Sequence, residues 1–378
     1  EEPFFPQVSF LSAFRVRAAY GESGQRPSFR DAAKFFSPVS VMISDVDVPG
    51  VTIGSEATGF GAGNALLKPE KSKEYEFGFD LGFLGDRLAL ELTRYDKTTY
   101  DALIARDLPG SLGATAFRLE NIGRVRNHGF EMLLKAKVFD TPNASFDLTL
   151  NGTTANSRIL ELGEGIEPIP VNSDFQIHKE GLPPGSYYQA PYTFSDANGD
   201  RLISMDEVVV ADEPVGLGTP FPKRMLSVTP DLTLFRYVRV SGLFEYRGGH
   251  KLLNLTERFR CNFTQTCRGL QDASAPLEEQ ARAMATLLGT EAGFVEDADF
   301  VKFRELAVTL NAPERWAGRM GVASVSLTLA GRNLKTWTDY TGFDPGANEN
   351  AANTNFSTDE FNTQPQVRYF TARVNVGW

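Results

Sequence analysis

Between Asp196 and Glu207 oxygen-bearing residues recur at the spacing a hard cation requires. Asp196, Asn198, Asp200, Ser204 and Glu207 occupy positions 1, 3, 5, 9 and 12 of a twelve-residue turn, and the carbonyl of Leu202 falls at position 7. Carboxylate and amide oxygens on one short turn suit Ca2+. The departure is Arg201, which stands where this kind of loop wants a glycine. The bland alternative is an Asx-rich turn that holds no metal.

Cys261 and Cys267 are the chain's two cysteines, with five residues between them. In an oxidising compartment the expectation is a disulfide that staples a loop, the alternative being two free thiols. A zinc centre is not expected, because His128, His178 and His250 are scattered and show no ligand spacing with the cysteines. Tyr187, Tyr188, Trp337 and Tyr340, with Tyr192 and Phe343, lie in loop-like sequence and are candidates to stack on a sugar ring or a peptide. The alternative is that they pack the loops together. No Gly-x-Ser-x-Gly, His-Glu-x-x-His or phosphate-binding glycine loop is present, so no enzyme is expected.

These residues must be held by elements, and the elements have one character. In Tyr75, Phe77, Phe79, Leu81 and Phe83 every second residue is large and apolar, while Glu76, Gly78, Asp80 and Gly82 between them are small or acidic. That period of two makes a strand with one apolar and one polar face. The pattern recurs in ten predicted strands, at 7–20, 73–84, 86–100, 123–138, 144–157, 224–234, 237–248, 299–310, 323–332 and 366–378. Long and short connections alternate between them. The longest irregular region is 158–222, with the calcium-like turn. The loop 249–298 holds the cysteine pair and one short helix, with Ser274 as N-cap, Pro276 in the first turn and Gly289 at its end.

Strands of ten to fifteen residues exceed those of most soluble sheets and suit a tilted bilayer crossing. Alternating loop lengths put every short turn on one rim, as in an outer-membrane barrel. The 378 residues carry a net charge of −10, which argues against a nucleic-acid partner. Mean hydropathy of −0.24 and the lack of any run of 18 apolar residues exclude a transmembrane helix but not a barrel, whose inward residues are polar. Arg239, Glu245, Arg247 and Arg373 are therefore expected to face inward. The sequence opens at Glu1 without the features of a signal peptide, so a processed chain or part of a longer one is expected.

Four stretches go beyond pattern: Leu67-Lys68-Pro69-Glu70-Lys71-Ser72; Asn121-Ile122-Gly123 followed by Asn127-His128-Gly129-Phe130-Glu131; Phe300 to Leu306; and Gly331 to Pro345. In that order they resemble the signatures of SusC-like (SusC/RagA) TonB-dependent outer-membrane transporters, and the aromatic Trp378 resembles the terminal insertion signal of bacterial barrel proteins. The resemblance implies an all-β, antiparallel up-and-down transmembrane barrel of 22 strands around a plug. This chain would supply about ten C-terminal strands, with plug, TonB box and N-terminal strands absent. It further implies import of a glycan or peptide fragment driven through TonB, a SusD-like surface lipoprotein as lid and outer-membrane lipid around the wall; apart from Ca2+ in the Asp196–Glu207 turn, no cofactor is expected. The alternatives are a siderophore or cobalamin receptor, or a passive pore.

Overall fold

The computed structural model describes residues 10–43, 46–54, 61–108, 117–121, 123–163, 166–171, 175–348 and 356–378. Ten strands form one antiparallel sheet in strict sequence order: β1 (Leu11–Gln25), β2 (Glu70–Phe83), β3 (Leu88–Tyr100), β4 (Arg124–Asp140), β5 (Ala144–Glu161), β6 (Arg224–Leu234), β7 (Val238–Gly248), β8 (Phe300–Asn311), β9 (Ser324–Thr338) and β10 (Tyr369–Gly377). Each of the ten predicted strands is present. Among the described residues no helix is long and apolar enough to cross a membrane.

The ends of the strands differ from the expectation where glycines and polar residues read as loop. β1 runs on through Gly21 and Gly24 to Gln25, because Glu70 to Glu74 offer it a continuous ladder. Its expected start at 7–9 lies outside the described residues, as does Ile122. β9 passes beyond Arg332 to Thr338 over a bulge opposite Arg304, where Asn333 takes a left-handed φ of 52°.

Connections at one rim are short. Leu84–Arg87 turns tightly through three successive left-handed residues, Leu84, Gly85 and Asp86, and 141–143 and 235–237 close equally narrow hairpins. The β8–β9 connection adds one helix at the same rim, Glu314–Arg319. All long connections stand at the other rim. One face of the sheet exposes apolar side chains, among them Phe14, Phe77, Phe130, Leu306, Leu329 and Val374. The opposite face carries charge pairs. Apolar surface of that extent left open on a continuous antiparallel ladder suits a lipid-facing wall.

Candidate functional site

Three long connections, 162–223, 249–299 and 339–368, fold together as a cap with cores of its own. Region 158–222 is not irregular: its first residues belong to β5. The remainder builds a four-stranded sheet, from Ile169–Val171, Gln176–His178, Ser186–Gln189 and Val215–Gly218, plus a hairpin of Tyr192–Phe194 with Val208–Val210. The second connection holds three helices where one was expected: α1 (Leu255–Asn262), α2 (Arg268–Gln271) and α3 (Leu277–Leu287). Pro276, not Ser274, caps α3, since the Ser274 hydroxyl donates instead to Asp272 (2.6 Å). Gly289 follows the helix end at φ 94°.

Cys261 and Cys267 are disulfide-bonded, with Cα atoms 4.9 Å apart, and tie α1 to the start of α2. Both are buried beside Tyr187, Leu253, Ala283 and Phe294. Glu257 is close to the two sulfurs, but bonded cysteines offer no thiolate to a metal.

The third connection is clamped onto the other two. The Gln176 amide donates to the Gly185 carbonyl (2.6 Å) and the Thr358 hydroxyl (2.9 Å), and its oxygen accepts from the Thr358 N–H (2.8 Å). The Tyr187 hydroxyl donates to the Thr358 carbonyl (2.7 Å) and accepts from the Leu253 N–H (3.2 Å). Asn254 caps α1 through Glu257 and pairs its backbone with Glu360. His178, wholly buried, accepts at Nδ1 from the Gly185 N–H (3.0 Å) and meets Phe356 edge-on. Burial drives its pKa down from 6.5 to about 4. Sequence reasoning missed this clamp: Gln176 and Thr358 are 182 positions apart, and nothing local marks either.

The cation-type turn sits on the cap. The Asp196 carboxylate accepts from the N–H groups of Gly199 (2.8 Å) and Arg201 (3.1 Å), and Asp200 accepts from Leu202 (2.8 Å). Asn198 Oδ1 accepts from the Asp200 N–H (2.8 Å). Glu207 closes the turn, accepting from the N–H and hydroxyl of Ser204 and from the N–H groups of Ala197 and Asn198. The Ser204 bonds, then those of Ala197 and Asn198, hold its pKa below the usual range against the effect of burial. Arg201 adopts φ 66°, the left-handed geometry for which the loop pattern wants glycine, so the substitution is tolerated at a conformational cost. The next residue but one, Ile203, is buried against Ala281 and Ala285 of α3, and Gln280 bonds both the Ile203 N–H (2.9 Å) and the Arg201 carbonyl (3.2 Å). The donor set is that of a hard-cation loop. The carboxylates of Asp196, Asp200 and Glu207 do not all converge within 4.8 Å in this conformation, because each is engaged by backbone N–H groups.

The aromatic candidates separate by burial. Tyr187 is fully buried and Tyr340 is 5% exposed, packed with Leu252 and Ala298, so neither ring is free to stack on a ligand. Burial raises the pKa of both hydroxyls. Tyr188 is half-buried, its hydroxyl bonded by Lys179 Nζ (2.6 Å), and Tyr192 packs into the α3 core. Trp337 and Phe343 remain exposed, with Lys335 Nζ 5.3 Å from the Trp337 ring.

Beneath the cap lies the polar wall. Arg239 pairs with Asp231 (2.5 Å), Arg247 with Glu245 (2.6 Å), Glu245 also with Arg304, and Arg332 with Glu305 (2.5 Å). Glu245, Arg304, Glu305 and Arg332 line a cavity of about 550 Å3 with Asn151 and Asn333. Arg373 lies opposite Thr328 in the ladder.

The four sequence signatures meet in pairs. The Asn121 side chain brackets Lys68, accepting from its N–H (2.6 Å) and donating to its carbonyl (2.8 Å). A Cβ on Gly129 would stand 1.8 Å from the Thr154 carbonyl, so only glycine fits there. Lys302 and Asp344 form a buried ion pair that fastens the third connection to β8.

Residues 3–260 match the family described as TonB dependent receptor-like, β-barrel. TonB-dependent receptor P3 of Formosa agariphila is 27% identical over 415 aligned positions, covering 100% of this chain and 40% of that protein. TonB-dependent receptor SusC of Bacteroides thetaiotaomicron is 27% identical over 57% of this chain and 24% of its own length. A solved structure of the RagAB peptide transporter superposes with a TM-score of 0.78 at 20% identity, covering 99% of this chain and 42% of that one. The chain spans about two fifths of the length of the relatives that it matches over most of its length.

Proposed function

The chain belongs to the TonB-dependent receptor-like β-barrel family, and from that premise we propose that it forms wall and cap of a SusC-like nutrient importer in a bacterial outer membrane. A family of receptors and transporters needs no covalent step. The work is binding at the cap, rearrangement of a plug inside the wall, and release on the other side. Energy would come through TonB, and a SusD-like surface lipoprotein would close over the cap. The cargo we propose is a glycan or peptide fragment.

One observation carries this reading. The long-loop rim is a folded cap with buried cores, a disulfide and clamped loops, above a wall lined with paired charges. A rigid, polar-mouthed vestibule suits a large hydrophilic cargo better than an open hole. Exposed Phe343 is the remaining aromatic contact that we assign to cargo or lid, since the ladder sets Trp337 opposite Val301 on the outward face of the wall. We also assign Ca2+ to the turn Asp196–Glu207, where it would stiffen the cap; it takes no part in transport chemistry. Import of labelled oligosaccharides and oligopeptides by cells with and without the intact gene tests the proposal. Uptake of one class should need the gene, while gene-dependent uptake of an iron chelate alone would favour a siderophore receptor.

A further inference from the structure

We propose that the centre of the cap holds a Ca2+ of its own, bound by the carboxylates of Asp359 and Glu360 and the hydroxyl of Tyr340, whether or not the Asp196–Glu207 turn binds one. The second and third long connections build this centre. Asn254 joins its two sides. Its backbone pairs with Glu360, and its side-chain amide donates to Glu296 (3.3 Å) and to the Thr341 hydroxyl (3.1 Å). Thr341 in turn donates to both Glu296 oxygens, through its N–H (2.8 Å) and its hydroxyl (2.7 Å). Asn254 thus sets the segment 340–342 beside Glu360. The Tyr340 ring folds back over Gly342, where a Cβ would stand 2.7 Å from the hydroxyl oxygen, so glycine leaves that oxygen its place.

Two buried atoms here point to a ligand. Glu360 is wholly buried and Tyr340 nearly so. Glu360 Oε1 accepts from the hydroxyls of Thr256 (3.0 Å) and Thr363 (2.9 Å) and from the Thr363 N–H (3.3 Å). Among the described residues Glu360 Oε2 has no hydrogen-bond partner, and neither has the Tyr340 hydroxyl. The two are neighbours: burial raises the Tyr340 pKa most, and the Glu360 and Glu296 carboxylates come next, with Asp359 acting in the same direction. Buried polar atoms left without partners mark a place for an ion or a water.

Charge selects the ion. Asp359 is buried like Glu360, and Glu296 adds a third carboxylate. Arg282 pairs with Glu296 (3.1 Å), while the partners of Glu360 are hydroxyl and N–H groups without charge. A bridging water would satisfy the two atoms and leave a buried carboxylate uncompensated, whereas a cation answers both needs. The donors are all oxygen, which suits a hard cation, and a centre this dry favours Ca2+ over Mg2+, which gives up its water reluctantly. Glu296 does not converge with the other two carboxylates. It acts by holding Asn254 and Thr341 in place.

Tb3+, a luminescent stand-in for Ca2+, tests this on the full-length receptor carrying Asp196→Ala and Asp200→Ala, which disable the turn. Excited through tyrosine, bound Tb3+ should emit, and Ca2+ should displace it far more readily than Mg2+. Glu360→Gln, which keeps the acceptor at Oε1, should weaken binding by about a hundredfold, and Tyr340→Phe, which keeps the ring's packing, by about tenfold. Tyr340→Phe should also dim the emission per bound ion, an effect that only an ion beside this ring produces. If Glu360→Gln fails to fold, Tyr340→Phe decides. Absence of Tb3+ emission once the turn is disabled, binding unchanged by Glu360→Gln, or emission per ion unchanged by Tyr340→Phe would each overturn the proposal.

Discussion

The Asp196–Glu207 turn is held by its own oxygen atoms: Asp196 accepts from the N–H groups of Gly199 and Arg201, and Arg201 takes a left-handed φ of 66°. Its oxygen spacing was legible in the sequence because the pattern is local, while the cation that this spacing suggests stays our proposal. Calorimetry on the full-length receptor should detect Ca2+ binding that Asp196→Ala with Asp200→Ala removes; heat identical in wild type and variant would leave an Asx turn and nothing more. Burial of Tyr187 and Tyr340 depends on partners from other loops, so no local pattern separates them from exposed ligand-stacking rings. His178 was unreadable for the same reason, yet it sets a pH limit. The fold holds the ring neutral, with Nδ1 as acceptor. Its stabilisation is complete above pH 6.5 and is withdrawn as pH falls from 6.5 towards 4. Protease cleavage within the cap should therefore accelerate across that window, and His178→Gln should flatten the response. A wild-type rate that is constant over the window would contradict this.

At the scale of elements, all ten wall strands were readable because a period of two survives in sequence. The cap was not, since its strands of three or four residues carry too few positions to show a period. Its staple is testable: a disulfide closing so short a loop contributes about 2 kcal/mol. Cys261→Ser with Cys267→Ser should loosen the cap, raising hydrogen exchange in α1 and α2 while β6 and β7 stay protected. The ion pair between β8 and the third connection is a second anchor. Lys302→Met leaves Asp344 buried and unpaired, at a cost of about 3–5 kcal/mol, and pairing it with Asp344→Asn should recover part of the loss. If both variants exchanged like wild type, the third connection would not be held there.

For the whole molecule, sheet order and loop parity followed from the sequence because consecutive strands tend to pair and short turns alternate with long connections. Cargo was not legible, since it depends on surfaces contributed jointly by distant loops. β1 and β10 each have one neighbour in the sheet, and unpaired edges are very costly in lipid. These 378 residues expressed alone should therefore not yield a folded, protease-resistant monomer in detergent. The most direct measurement is energised uptake: cells carrying the intact gene, its deletion or a TonB deletion are given labelled oligosaccharides and oligopeptides, with and without a protonophore. Uptake of one of these classes that needs the gene, TonB and the proton gradient is the expected result. Uptake that persists without TonB or the gradient would mean a passive pore and would contradict active import.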